Sequence, residues 1–282
     1  MLIVDAQVHI WAADTPERPW PARHAPHRPA PLSAEALLAE MNAAGVSAAV
    51  LVPPSWEGER NDLVTDAIGR WPTRFAAMGR FDPQDPQLHD KVRAWKAIPG
   101  TAGLRFALHR PGMAEALESG AMQQVLRIAQ DVGVPVTLLL PHAEMHRVQA
   151  MAERFPRLSM VLDHLGVPSS VPLAERFTNL GALLALARYE RIAVKASALP
   201  SIADDAYPYR SLHEPLRRVF DAFGPRRVFW GTDLTRPPCT YAQAITMFTE
   251  ELPWLDDAAK AWVMGRGIVE WFGLTSLVSA TG

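Results

Sequence analysis

The chain has 282 residues, of which 49% are hydrophobic, and it carries 28 lysines and arginines against 30 aspartates and glutamates. This length suits a single α/β barrel, a fold that usually needs about 250 residues. The net charge of −2 gives no field strong enough to attract nucleic acid or an anionic membrane surface. We therefore expect a small-molecule partner and neither nucleic-acid nor membrane binding.

The cysteine content and the N-terminal segment bear on the compartment. Cys239 is the sole cysteine, so no intramolecular disulfide is expected. The apolar run at 2–11 lacks the basic flank and the length of a secretory signal. No apolar stretch approaches the roughly 18 residues of a membrane span. We expect a cytoplasmic protein, and the sequence leaves homo-oligomerisation open.

Short apolar runs rich in Val, Ile and Leu alternate with stretches of helical period along the chain. This alternation predicts βαβ units and a parallel sheet. Strands that are apolar on both faces suit a closed parallel barrel, in which both faces are buried. The predicted strands are 2–9, 48–52, 75–81, 102–107, 134–140, 158–162, 192–197 and 228–231.

A helix is predicted after each strand. Ser33 is a typical N-cap, and Gly45 and Gly133 are typical C-caps. Eight units predict one (β/α)8 TIM barrel domain over residues 1–282. A doubly wound open sheet is the alternative, but no glycine-rich phosphate turn follows the first strand. Helices are predicted to begin near Ser33, Asn61, Asp85, Met122, Glu144, Pro172, Tyr207 and Tyr241.

The segment after the first strand, at about 12–32, is rich in proline. It contains six prolines between Pro16 and Pro31, which exclude both a helix and a central strand. In a barrel this loop belongs to the catalytic face, so we predict a lid that carries arginine and histidine side chains. The alternative is simple surface packing, with Trp11 and Trp20 anchoring the loop on the rim.

Polar residues occur at the carboxyl ends of the predicted strands, where barrel enzymes place catalytic groups. In the first strand a period of two puts Asp5, Gln7 and His9 on the side that faces into the barrel. Any one such residue is more often a satisfied buried group than a catalyst. Their coincidence on one rim predicts an active site around His9, His164 and Asp233. The later strands end with Arg105, His109 and Arg110, with His142, with Asp163 and His164, with Lys195, and with Asp233 and Arg236.

Five segments carry a resemblance to a known family: VDAQVHIW in the first strand, LDHLG before Pro168, VKASAL, FWGTDLTRP and the terminal GRGIVEWFGL. Together they resemble the amidohydrolase superfamily, in particular the amidohydrolase-2 group that includes sugar lactonases and 2-pyrone-4,6-dicarboxylate lactonases. The resemblance covers nearly the whole chain and implies a TIM-barrel hydrolase. In most such enzymes the first strand ends in His-x-His, and these imidazoles bind a divalent metal with other histidines and a strand-eight aspartate.

This chain has Gln7 where that pattern has its first histidine. A carboxamide is a poor zinc ligand beside an imidazole, which leaves His9, His164 and Asp233 as candidate metal ligands. We therefore expect that no cofactor is required, with a single divalent metal such as zinc as the alternative. The resemblance supplies a precedent, since the pyrone-dicarboxylate lactonases are understood to work without a metal.

The expected mechanism uses side chains alone. Asp233 is predicted to act as general base on the attacking water, while His9, His164 and Gln7 hydrogen-bond the scissile carbonyl. Lys195 is expected to pair with Asp163 rather than to touch substrate. The remaining predicted substrate contacts are Arg105, Arg110 and Arg236 as carboxylate anchors, Trp56 as an aromatic wall, and His142.

Three functions fit this pattern. The leading hypothesis is a hydrolase that opens a lactone or related cyclic ester of a carboxylated or polyhydroxylated small molecule. The second is a metal-dependent decarboxylase of a hydroxylated aromatic or unsaturated acid, a reaction of related barrels that Gln7 argues against. The third is a catalytically silent barrel that only binds its ligand.

Overall fold

The computed structural model describes residues 1–20, 28, 30–110, 113–168 and 171–278. Eight strands form one sheet in chain order, and each strand pairs in parallel with the next. The predicted strand ends differ from the observed ends by at most two residues. The strands are β1 (Val4–Val8), β2 (Ala48–Leu51), β3 (Phe75–Gly79), β4 (Thr101–Ala107), β5 (Val136–Leu139), β6 (Met160–Leu162), β7 (Ile192–Ala196) and β8 (Val228–Trp230).

The sheet closes into a barrel where β8 meets β1. The backbone N–H of Asp233 donates to the carbonyl of Gln7 across this seam at 2.8 Å. Gly231 lies against β1 so closely that a Cβ atom there would come within 3.1 Å of Ala6. The predicted (β/α)8 TIM barrel is confirmed.

The helices lie between and outside the strands, and the three predicted caps are present, including Gly133, which ends the helix Ala121–Val132 in the left-handed region at φ 72°. The Ser33 hydroxyl accepts the Ala36 N–H at 3.2 Å, and Gly45 ends the first helix in the left-handed region at φ 73°. The helices are α1 (Ala34–Ala44), α2 (Asp62–Arg70), α3 (Leu88–Ala97), α4 (Met113–Glu118), α5 (Ala121–Val132), α6 (Met145–Arg154), α7 (Leu180–Leu184), α8 (Leu199–Ile202), α9 (His213–Phe223), α10 (Tyr241–Thr249), α11 (Asp257–Ala261) and α12 (Gly267–Phe272).

Two predicted helix starts were several residues too early. The helix expected near Pro172 is the 3₁₀ turn Leu173–Glu175, and α7 begins only at Leu180. The helix expected near Tyr207 is preceded by another 3₁₀ turn, and α9 begins at His213. Pro208 explains the second difference, because a proline disfavours the helical conformation at the residue before it.

The side chains of each strand alternate between two apolar layers. In β2, Ala48 and Val50 join a cluster with Phe229 of β8, whereas Ala49 and Leu51 pack in a second cluster with the helices. This burial on both faces is what the near-continuous apolar runs predicted.

The expected alternation fails in β1. The pairing register of β1 with β2 shifts between Asp5 and Val8, so Asp5 and Gln7 do not face the same way. Asp5 contacts Tyr241 of α10 in the helical layer, whereas Gln7 contacts Lys195 of β7. The prediction that Asp5 points into the barrel was therefore wrong.

The loop predicted at 12–32 is described in part, since residues 21–27 and 29 lie outside the described residues. Arg18 pairs with Glu57 and with Asp62 at the start of α2, at 2.7 and 2.6 Å. The Arg28 guanidinium donates to the Leu234 carbonyl, next to Asp233, at 3.5 Å. These contacts attach the loop to the catalytic rim, and its role as a lid stays a prediction. In the described part of the chain no helix is long and apolar enough to cross a membrane.

Candidate active site

A cavity opens among the carboxyl ends of the strands and brings most of the predicted site residues together. Gln7 and His142 are not among its lining residues. Seven predicted residues line it: His9, Trp56, Arg105, Arg110, His164, Asp233 and Arg236.

Asp233 is the centre of this group. Its Oδ1 lies 3.1 Å from His9 Nε2, and its Oδ2 lies 3.1 Å from Arg236 Nε and 3.9 Å from His164 Nε2. Burial alone would raise the pKa of the Asp233 carboxyl, but His9, His164 and Arg236 outweigh burial and hold the pKa well below its ordinary value. The carboxylate is therefore ionised at any physiological pH.

The two ring nitrogens of His9 have different neighbours. Its Nδ1 is 2.5 Å from the Val52 carbonyl, which can only accept, so this ring nitrogen carries a proton. Its Nε2 lies 3.1 Å from the Oδ1 of Asp233. A second proton, on Nε2, would make the pair an imidazolium and a carboxylate.

His164 has a different environment, although it faces the same carboxylate. Its Nδ1 lies 2.8 Å from the hydroxyl of Ser197, and burial lowers the pKa of its imidazole to about 4. The ring is therefore neutral near neutral pH. Both His164 and Asp233 have left-handed backbones, with φ of 53° and 56°. Such conformations are uncommon for residues other than glycine and cluster at functional sites.

A second charged cluster lies beside this centre. Asp163 pairs through Oδ2 with Arg105 Nε and through Oδ1 with Lys195 Nζ, both at 3.1 Å. The predicted pairing of Lys195 with Asp163 is thus confirmed. Lys195 also donates to the Gln7 Oε1 at 2.8 Å, and Gln7 is fully buried. This contact explains why Gln7 is absent from the cavity wall.

Three other predicted contacts have distinct surroundings. His142 Nε2 lies 2.7 Å from the Leu165 carbonyl, which holds this ring away from the cavity. Trp56 lines the cavity and meets His9 edge to face, with ring centroids 6.0 Å apart. The buried Nε of Arg110 has no hydrogen-bond partner among the described residues.

The sequence prediction named His109 at the end of the fourth strand without giving it a role, and it missed Arg80. His109 lines the cavity, and burial lowers the pKa of its imidazole to about 4. Arg80 lines an adjoining cavity that also contains Arg105 and Arg110. Arg80 directly follows β3, so the rule of polar residues at strand ends would have found it if the third strand had been predicted to end at Gly79 rather than at 81.

The family model for amidohydrolases matches residues 4–274. The chain belongs to the amidohydrolase family. An L-fucono-1,5-lactonase from Burkholderia multivorans is 25% identical over 251 residues, which cover 86% of this chain and 84% of that protein.

Solved structures of other amidohydrolases have the same barrel. An amidohydrolase from Burkholderia multivorans with bound zinc superposes with a TM-score of 0.80 at 21% identity and covers 97% of this chain and 99% of that one. A probable 2-pyrone-4,6-dicarboxylic acid hydrolase from Acinetobacter baumannii, with citric acid bound, gives 0.77 at 18% identity and covers 97% and 100%. At these identities the likeness shows the fold, and family membership makes the chain an amidohydrolase-superfamily hydrolase.

The divalent metal that the amidohydrolase family implies does not fit the donors of this member. Gln7, in place of the first-strand histidine, uses its amide oxygen to accept a hydrogen bond from Lys195. Within the described ranges, no three His, Cys, Asp or Glu side chains are arranged to hold a metal ion. We derive no step of the reaction through a metal.

Proposed function

We propose that this amidohydrolase opens a lactone or related cyclic ester of a carboxylated or polyhydroxylated small molecule, and that it requires no metal or other cofactor. The observation that carries the proposal is one buried, ionised carboxylate, Asp233, in contact with His9 and His164 at an arginine-lined cavity. The lactonase named above, at 25% identity, supports the reaction class.

In the first step, Asp233 takes a proton from a water molecule as the water oxygen bonds to the lactone carbonyl carbon. The contacts that keep Asp233 ionised also make it a weak base in the resting site. When His9 turns its Nε2–H from Asp233 to the carbonyl oxygen, the carboxylate loses this stabilisation and its basicity rises. The base therefore strengthens as the negative charge forms on the substrate.

In the second step, the negative charge on the former carbonyl oxygen is stabilised by hydrogen bonds. His9 supplies Nε2–H, and a neutral His164 supplies its own Nε2–H when the Ser197 hydroxyl donates to Nδ1. The C–O bond of the ring then breaks, and the proton held by Asp233 passes to the departing ring oxygen. The products are the open hydroxy acid and the regenerated carboxylate.

The substrate class follows from the charges at the cavity. Arg105 keeps its Nε on Asp163, which leaves the terminal nitrogens of its guanidinium for a substrate carboxylate. Arg110 is a second anchor, and Trp56 is an apolar wall for the ring. Arg236 donates its Nε–H to Asp233, so its main role in this proposal is to position Asp233, and contact with the substrate is secondary. Gln7 and His142, which do not line the cavity, have no substrate contact in this proposal.

The test is hydrolysis of a panel of anionic and neutral polyhydroxylated lactones by wild-type enzyme and by Asp233→Asn, each before and after chelation. We expect wild-type activity to survive chelation and Asp233→Asn to lower kcat about 10²- to 10⁴-fold, the usual share of a general base. Asp66→Asn, which changes an exposed side chain of α2, is the matched control and retains activity.

The two alternatives give different results in the same experiment. A decarboxylase releases carbon dioxide from hydroxylated aromatic acids and loses this activity on chelation. A silent binding barrel turns over no lactone, and its Asp233→Asn variant keeps the ligand affinity of the wild type. Either result would overturn the lactonase proposal.

A further inference from the structure

The fully buried amine of Lys195 contacts Gln7, the residue that stands where the family pattern has its first histidine on the first strand. Its Nζ is 2.8 Å from Gln7 Oε1 and 3.1 Å from Asp163 Oδ1. The other Asp163 oxygen is taken by Arg105. Two cations and one carboxylate leave this buried cluster with a net charge of +1 beside His164.

The contact with Lys195 opposes metal binding at Gln7. The amide oxygen is the only atom of the Gln7 side chain able to bind a cation, and one of its two lone pairs already accepts a hydrogen bond from Lys195. The amide nitrogen is a donor and has no hydrogen-bond partner in the described part of the chain. A metal ion at Gln7 would also lie next to an ammonium, and repulsion between cations is strong where water is excluded.

We propose that Gln7 and Lys195 together close the first-strand position to a metal ion, and that the Lys195 ammonium supplies fixed positive charge there instead. This inference rests on the proposed metal-free function and explains how the chain maintains it. Lys195 thereby acts as a positioning residue, because it neutralises part of the Asp163 charge and leaves the terminal nitrogens of Arg105, whose Nε stays on Asp163, to bind an anion in the cavity.

The experiment is a titration with cobalt(II), whose visible absorption reports coordination, on wild-type protein, Gln7→His and Gln7→His/Lys195→Met. We expect no bound cobalt beyond about a tenth of an equivalent in the wild type after gel filtration. Gln7→His alone stays weak because the ammonium remains. The double variant binds one equivalent at least about 10-fold more tightly than Gln7→His.

The double variant keeps a balanced charge, since Asp163 retains Arg105 when Lys195 becomes methionine. Adding Asp233→Ala to it removes the new binding and so locates the ion. Gln7→His/Lys91→Met, which changes an exposed lysine of α3, is the matched control and binds no better than Gln7→His.

Tight stoichiometric binding of cobalt by the wild type or by Gln7→His would overturn the proposal, because both proteins retain Lys195. Equal affinities of Gln7→His and a folded Gln7→His/Lys195→Met would overturn it as well. No substrate is present in the titration, so its result is independent of the lactone assay. A wild type that binds no metal and opens no lactone would contradict only the proposed function.

Discussion

Asp5 shows how one buried residue supports the candidate base without facing the cavity. Its carboxylate accepts the N–H of Gln7 at 3.0 Å, the N–H and hydroxyl of Thr232 at 2.8 and 2.5 Å, and the hydroxyl of Tyr241 at 2.8 Å. Thr232 precedes Asp233, whose backbone is left-handed. The two bonds to Thr232 therefore hold the turn that presents the Asp233 carboxylate to His9.

Asp5→Asn is expected to lower the free energy of unfolding by about 1–3 kcal/mol, because the new amide group places a donor against buried donors and leaves them unsatisfied. Urea unfolding measures the change. Asp90→Asn, at a side chain that is 86% exposed, is the control and stays within about 0.5 kcal/mol of wild type. Equal stability of the two variants would show that the four hydrogen bonds at Asp5 are not coupled to folding.

The sequence predicted which residues form the site better than it predicted the contacts between them. His9, His164 and Asp233 could be predicted because each follows an apolar strand, and parallel strands bring their carboxyl ends together. The hydrogen bond between Gln7 and Lys195 could not, because it joins residues 188 positions apart and depends on a register shift in β1. Alternation along one strand carries no information about such a shift.

At the scale of elements, the start of a helix was predicted best where a local capping interaction sets it. The helix expected at Tyr241 begins there, because Thr240 and Gln243 form a capping box: the Thr240 hydroxyl accepts the Gln243 N–H at 3.1 Å, and the Gln243 side chain accepts the Thr240 N–H at 3.0 Å. The helices expected near Pro172 and Tyr207 have no such cap in the described residues and begin later.

Thr240→Ala is expected to cost about 1 kcal/mol of stability, since it removes the hydroxyl that caps α10. Thr240→Ser keeps a hydroxyl at the same position and should recover most of this loss. Thermal unfolding of both variants, monitored by circular dichroism, measures the difference. Identical melting temperatures for the alanine and serine variants would mean that the cap contributes nothing to the stability of the barrel.

At the scale of the whole molecule, the barrel could be predicted because its strands are buried on both faces and are apolar almost throughout. Its closure is harder to read from sequence, since it depends on how near β8 approaches β1. Gly231 permits this approach: a Cβ atom at that position would lie 3.1 Å from the Ala6 Cβ and from the backbone nitrogens of Ala6 and Gln7. The backbone hydrogen bond from Asp233 to Gln7 also lies at this seam. The same contact therefore closes the barrel and holds a residue of the candidate site.

Gly231→Ala is therefore expected to destabilise the barrel by about 1–3 kcal/mol, the usual cost of overpacking, because backbone atoms of β1 must move. Gly69→Ala is the matched control: a Cβ atom at this exposed position of α2 meets nothing within 4 Å, so the higher helix propensity of alanine should stabilise the protein by up to about 1 kcal/mol. Urea unfolding should move the two variants in opposite directions from wild type. If Gly231→Ala changed the free energy of unfolding as Gly69→Ala does, the seam between β8 and β1 would have room for a methyl group. The close approach of Gly231 to β1 would then not be what holds Asp233 against His9.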